Sequence, residues 1–219
     1  LSVFVDAHMG EIVDAVDNIR EDDFSGRSFG EVFPEHYGQE RIEVGLANQN
    51  ILNVGDEVLT DSEGAYLFEE FLGGDIEAKY TGPYVKVVDY GNGGQEYSFS
   101  IDSSEERDLN FSELDESYKR EATNMVYHVN VIHDFFTTGG YPFNVSALNF
   151  QMNAELNDRP DCNAWADGTS IHFFQPVENV CETLSLSSDV IYHEYTHNMV
   201  AQLAPELNSV YWGHTGNMN

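Results

Sequence analysis

Basic residues are scarce. The 219-residue chain has 9 Lys and Arg against 39 Asp and Glu, a formal charge of −30. A surface of that sign repels phosphate backbones and anionic bilayers, so neither nucleic acid nor a membrane is an expected partner. The acids are spread along the chain rather than gathered in a tail. That suits a solvated surface in high salt or, less economically, several weak calcium sites. No apolar run reaches the roughly 18 residues of a membrane-spanning helix. No basic stretch leads into a short apolar one, so no signal peptide is expected within these residues. Cysteine is limited to Cys162 and Cys181. With no C-x-x-C spacing they do not read as a zinc site, and a disulfide is the better reading, with two buried thiols as the alternative. A bridge closing a loop of this size contributes about 3 kcal/mol and implies an oxidising, secreted setting.

Hydrophobic content of 41% and aromatic content of 13% are enough for one large domain or two ordinary ones. Residues 1–17 read as strand, turn, strand, with Val3 and Val5 alternating with polar neighbours and Met9-Gly10 turning the chain. Since the first residues already look like strand, the chain reads as a piece of a longer precursor. An acidic stretch from Asp17 to Asp23 reads as a linker. Short alternating runs between Gly, Asn and Asp turns then follow from Phe24 to Ile101 and suggest a small all-β sandwich. In Thr60-Asp61-Ser62-Glu63-Gly64-Ala65-Tyr66-Leu67-Phe68, Gly64 can take positive φ to close a hairpin, with Tyr66 and Phe68 on one face. Asp61 and Glu63 read first as a solvated turn and second as calcium ligands.

After Ser103-Ser104-Glu105-Glu106, a stripe of Leu114, Tyr118, Ala122, Met125, Val129, Ile132 and Phe136 predicts a helix from Ser112 to Phe136, with Ser112 and Asp115 resembling a capping box. His128 and His133 on it read as structural rather than as ligands. Val145 to Met152 reads as a strand. Asn163-Ala164-Trp165 and Ser170 to Phe174 read as a hairpin through Asp167-Gly168.

The most informative stretch is Asp189-Val190-Ile191-Tyr192-His193-Glu194-Tyr195-Thr196-His197. On a helix, residues 193 and 197 stack on one face, so two imidazoles can converge on one ion. Glu194, about 100° round the helix, can reach a metal-held water without being a ligand. Two nitrogens, a third protein ligand, an open position and a general base are what zinc hydrolysis needs. Ser187, Ser188 or Asp189 can cap the start, and Val190, Ile191, Val200 and Leu203 supply an apolar side.

With Asn163-Ala164-Trp165-x-Asp167-Gly168 upstream, this stretch resembles the thermolysin-like (gluzincin) zinc metallopeptidases, and the acidic β segment and two cysteines resemble their fungalysin-related branch. The resemblance covers residues 111–219. Residues 1–13 resemble the last hairpin of a propeptide domain, and the middle segment a carboxypeptidase-regulatory-like sandwich. The implied architecture is a propeptide-like hairpin (1–17), a β-sandwich (18–105) and an α+β N-terminal lobe of the thermolysin-like kind (106–219). The resemblance implies Zn²⁺ held by His193 and His197, Glu194 as general base, Asn163 and Ala164 as the substrate-binding edge, and Tyr211 near the oxyanion. It also implies protein or peptide substrates, a cognate propeptide upstream and a C-terminal lobe downstream.

In the family the third ligand is a glutamate in an Asn-Glu-x-x-Ser-Asp pattern. Asn219 looks like the residue just before it, so these 219 residues alone are expected to be inactive. Glu206 comes too early, and His214 is a weak substitute. A metzincin pattern fails because Val200 and Leu203 stand where Gly and His are required. The function implied is a secreted zinc endopeptidase. The alternative is a binding or regulatory β protein with a vestigial metal motif.

Overall fold

Period-two alternation of apolar residues builds most of the chain. The computed structural model describes residues 2–5, 12–16, 22–113, 117–139 and 145–204. Its strands are β1 (Ser2–Val5), β2 (Ile12–Val16), β3 (Asp22–Val32), β4 (Ile42–Gly45), β5 (Asn50–Asn53), β6 (Asp56–Leu59) and β7 (Ala65–Phe71). They continue with β8 (Asp75–Lys79), β9 (Val85–Asp89), β10 (Ser98–Asp102), β11 (Leu109–Asn110), β12 (Met152–Pro160), β13 (Ala164–Ala166) and β14 (Ser170–Gln175). The helices are α1 (Ser117–Thr138) and α2 (Ser188–Leu203).

β1 and β2 pair antiparallel, as the alternation led us to expect. β3 begins inside the expected acidic linker and is a spine rather than a spacer. Its first half pairs with β7, and its second half with β4 and, in parallel, β11. The order β10-β8-β5-β6 makes a second sheet and β13-β14-β12-β9 a third. Gly64 does take positive φ, +83°, and Tyr66 and Phe68 are both buried on one face. The turn joins two sheets, however, because β6 pairs with β5 while β7 pairs with β3. A side chain at Gly64 would collide with the Ser28 carbonyl oxygen. Asp61 Oδ1 accepts from the Glu63 and Ala65 backbone N–H groups, each at 2.9 Å, which makes the acid a turn organiser.

The expected fold class is corrected. Strand accounts for 40% of the structure, in small sheets with two α-helices, and this is not an α+β lobe of the thermolysin-like type behind a separate sandwich. The physical reason lies in β9. Buried at Val85, Val87 and Asp89, it pairs in parallel with β12. One continuous apolar cluster runs from Phe24, Leu46 and Ile51 through Met125 and Val129 to Phe173 and Ile191.

Two further expectations shift. Val145–Leu148 forms a 3-10 turn, and the strand starts at Met152. The helix starts at Ser117, after a 3-10 turn over Phe111–Glu113. Asp115 lies outside the described residues. So do Glu206, Tyr211, His214 and Asn219. α1 buries Ala122, Met125, Val129 and Ile132, as its spacing predicts, and Val126 beside them.

Candidate metal centre

α2 follows Ser187, whose hydroxyl makes no capping bond. Ser188 N–H instead donates to the Glu35 carbonyl at 2.8 Å, anchoring the helix start to the loop after β3. The buried stripe of α2 is Ser188, Ile191, Glu194, Tyr195, Asn198 and Ala201. Of the apolar residues expected there, Ile191 is fully buried, whereas Val200 lines the open side. That side is a cleft of about 420 Å³ walled by Asp189, Tyr192, His193, Thr196, His197 and Val200.

Within the cleft the Nε2 atoms of His193 and His197 lie 2.9 Å apart, one helical turn separating their residues. At that distance one ring donates to the other, so at least one is neutral. Burial and the neighbouring His193 hold the His197 imidazole below its usual value, favouring the neutral, ligand-competent form. Two nitrogens of a tetrahedral zinc site stand about 3.3 Å apart, given Zn–N bonds of about 2.0–2.1 Å. A small rotation of half-exposed rings spans the difference, and the pair fits zinc. Among the described residues no group of three His, Cys, Asp or Glu is placed to hold a metal ion.

Glu194, the next residue, is turned inward and only 6% exposed. Burial pushes its carboxyl above the ordinary carboxylate range, opposed in part by His193. A base tuned upward takes a proton more readily near neutrality.

The edge strand of the third sheet is bolted to the same helix. Asn198 Oδ1 accepts from Gly168 N–H at 2.6 Å, and Gln202 Nε2 donates to the Gly168 carbonyl at 2.8 Å. Both bonds hold the turn between β13 and β14. The loop is wider than a two-residue Asp-Gly turn, pairing Trp165 with His172 and Ala166 with Ile171. Asp167 is the cause, since its Oδ1 accepts from Thr169 N–H, Thr169 Oγ and Ser170 N–H at 2.7–3.0 Å. Burial raises the Asp167 carboxyl, but these bonds more than offset it and leave it low. Among the described residues β13 is an edge strand of its sheet, with both of its alanines packed inward. The Asn163 carbonyl accepts from Phe174 N–H. Asn198→Leu leaves the buried Gly168 N–H without an acceptor and is expected to cost about 1–3 kcal/mol, read as a lower urea midpoint. An unchanged midpoint would show that the turn holds without the clamp.

Cys162, next to Asn163, is bonded to Cys181, with the Cα atoms 5.9 Å apart. The expected disulfide thus joins the segment before β13 to the segment before α2.

Several neighbours were not legible beforehand. His128, 1% exposed, accepts on Nδ1 from the Tyr192 hydroxyl, because its Nε2 donates to the Phe33 carbonyl, both at 2.8 Å. That fixes the residue before His193. His172 stacks on Trp165 at 4.0 Å between ring centres and contacts Glu155 and Asp167 at 2.9 and 3.4 Å. The cross-strand pairing of Trp165 with His172 follows only from the wider turn. Asn198 and Gln202 carry no spacing signal at all.

No protein-family model matches the chain, and no curated protein matches it either.

Proposed function

We propose that this chain carries two zinc ligands and the general base of a secreted zinc endopeptidase. The observation that carries the reading is the convergence of the His193 and His197 Nε2 atoms, 2.9 Å apart in an open cleft. Glu194 stands one residue away, and a sheet edge is clamped to the same helix. His193 and His197 would hold the ion, and a third protein ligand belongs outside the described residues. Bound zinc would supply a Lewis acid and an acidified water.

The chain's own part is positioning and proton transfer. Glu194 accepts the proton of the attacking water and hands it to the leaving amine. The edge at Asn163 and Ala164 aligns an extended peptide by main-chain hydrogen bonds, as an added strand. The Asn198 and Gln202 clamp keeps that edge in register with the base. The disulfide supports an oxidising, extracytoplasmic setting. The acidic surface disfavours nucleic acid as a partner.

The other reading is a β protein whose metal motif is vestigial. Equilibrium dialysis against zinc separates the two. Wild type is expected to take up one zinc, and His193→Ala/His197→Ala to bind it at least about tenfold more weakly. Equal uptake by wild type and the double variant would sink the proposal, and so would a zinc-loaded protein that leaves casein intact in every form in which the chain occurs.

A further inference from the structure

A larger cleft, of about 720 Å³, opens at the ends of β9 and β14, with Asn157 of β12 in its wall. These three strands are mutually parallel, and the cleft lies at the carboxyl ends of β9 and β14, where open parallel sheets leave room for ligands. It shares no lining residue with the cleft of His193 and His197. Its walls carry two opposite charges side by side in sequence, Arg120 and Glu121 from the N-terminal part of α1.

Those charges do not satisfy each other. Arg120 Nε is buried without a hydrogen-bond partner, and among the described residues no ion pair within 4.0 Å involves Arg120. A guanidinium nitrogen with no partner among the described residues is notable in a chain with 39 acids and only 9 Lys and Arg. Glu121, 4% exposed, is drawn away from Arg120 by the hydroxyls of Ser185 and Thr183, which donate to its Oε2 at 3.0 and 3.4 Å. Neither hydroxyl brings a positive charge. A second acid of the cleft, Asp89, is committed, since its oxygens accept from Gly91 N–H and the Tyr97 hydroxyl at 3.0 and 2.9 Å.

The charges sort the ligands. A bare metal ion lacks a cluster of three acidic, histidine or cysteine groups here, among the described residues. A simple anion meets Glu121, Asp89 and Glu182, and a simple cation meets Arg120. A molecule carrying both charges can meet both walls. Phe33 and Leu186 complete the wall with apolar surface.

We propose that this cleft binds a small zwitterion of the α-amino-acid class, its ammonium on Glu121 and its carboxylate on Arg120. The site does not depend on the peptidase reading. Charge-assisted bonds to a buried carboxylate and a half-buried guanidinium are the strong kind, and the planar guanidinium matches a carboxylate in two-point contact. Glu121 adds a pH signature. Burial pushes its carboxyl up to about 7, with the Ser185 hydroxyl opposing and Asp89 reinforcing the rise. An ammonium ligand needs the ionised carboxylate, so affinity rises as pH passes upward through that value. Asp89, Arg120 and Glu182 are the other charged groups facing the same cleft.

The test is calorimetric titration of the 219-residue chain with three probes of one carbon frame. These are L-phenylalanine, phenethylamine, which lacks the carboxylate, and 3-phenylpropionate, which lacks the ammonium. L-phenylalanine is expected to bind at least about tenfold more tightly than either single-charge analogue. Arg120→Met should abolish its advantage over phenethylamine, and Glu121→Gln its advantage over 3-phenylpropionate. Glu121→Gln removes a buried charge and keeps the shape, so it is expected to remain folded by circular dichroism. No heat from any probe up to about 10 mM would overturn the proposal, as would equal affinity of the three for wild type. The wild-type comparison stands even if a variant fails to fold.

Discussion

Replacing Glu194 by Gln is expected to leave zinc uptake intact and to slow peptide hydrolysis by about 10²–10⁴. The size follows from what the substitution keeps. Gln fills the same buried place on α2 and leaves the His193 and His197 nitrogens converging in the cleft. It removes only the capacity to take a proton, which burial sharpens in the native carboxyl. Activity and metal content must be read together on the zinc-loaded protein, in whichever form of the chain is active. A variant that keeps both its zinc and its turnover would rule out Glu194 as the base. One that loses zinc along with activity would point instead to a role for Glu194 in holding the ion. The acid limb of kcat/KM should report the ionisation of this carboxyl, because it works as a base only once ionised.

The second large effect concerns stability. Cys162→Ser/Cys181→Ser is expected to cost about 3 kcal/mol, the chain-entropy value for a closed loop of this length, read as a drop in the urea midpoint. The two residues lie 19 apart in sequence, and between them run β13, its wide turn and β14. Native pairing there rests on a short three-residue edge strand and the Asn198 and Gln202 clamp. Uncrosslinked, the chain regains many open conformations of this segment, and Asn163 beside Cys162 is the first to fray. A loss under about 0.5 kcal/mol would mean that strand pairing alone confines the loop.

Residue spacing made much of the candidate site readable. His193, Glu194 and His197 declare themselves at helical intervals, and the two cysteines have only each other to bond. The α1 stripe and the Tyr66 and Phe68 face are likewise periodic, and Ala122, Met125, Val129 and Ile132 of the stripe are buried with Tyr66 and Phe68, as expected. What spacing could not convey is which strand joins which. β9 carries the alternation of any half-buried strand, yet its partner β12 lies beyond α1 in the chain. That pairing makes the fold a set of small, interlinked sheets rather than a sandwich followed by a separate lobe. Single side chains escaped for a related reason. Asn198, His128 and Glu121 are isolated polar residues with no repeat, and only three-dimensional neighbours make them clamp, brace and cleft wall.

The pairing of β9 with β12 also bears on how the chain reaches its fold. β9 is synthesised well before its partner, with β10, β11 and α1 intervening. α1 can form early from local contacts, but parallel sheets joining distant segments close slowly, because loop entropy is lost before pairing returns any stabilisation. Until β12 arrives, β9 offers an unpaired apolar edge of the kind that invites other chains. A formal charge of −30 acts on that interval, as mutual repulsion keeps half-folded molecules apart while the sheet waits for its missing strand.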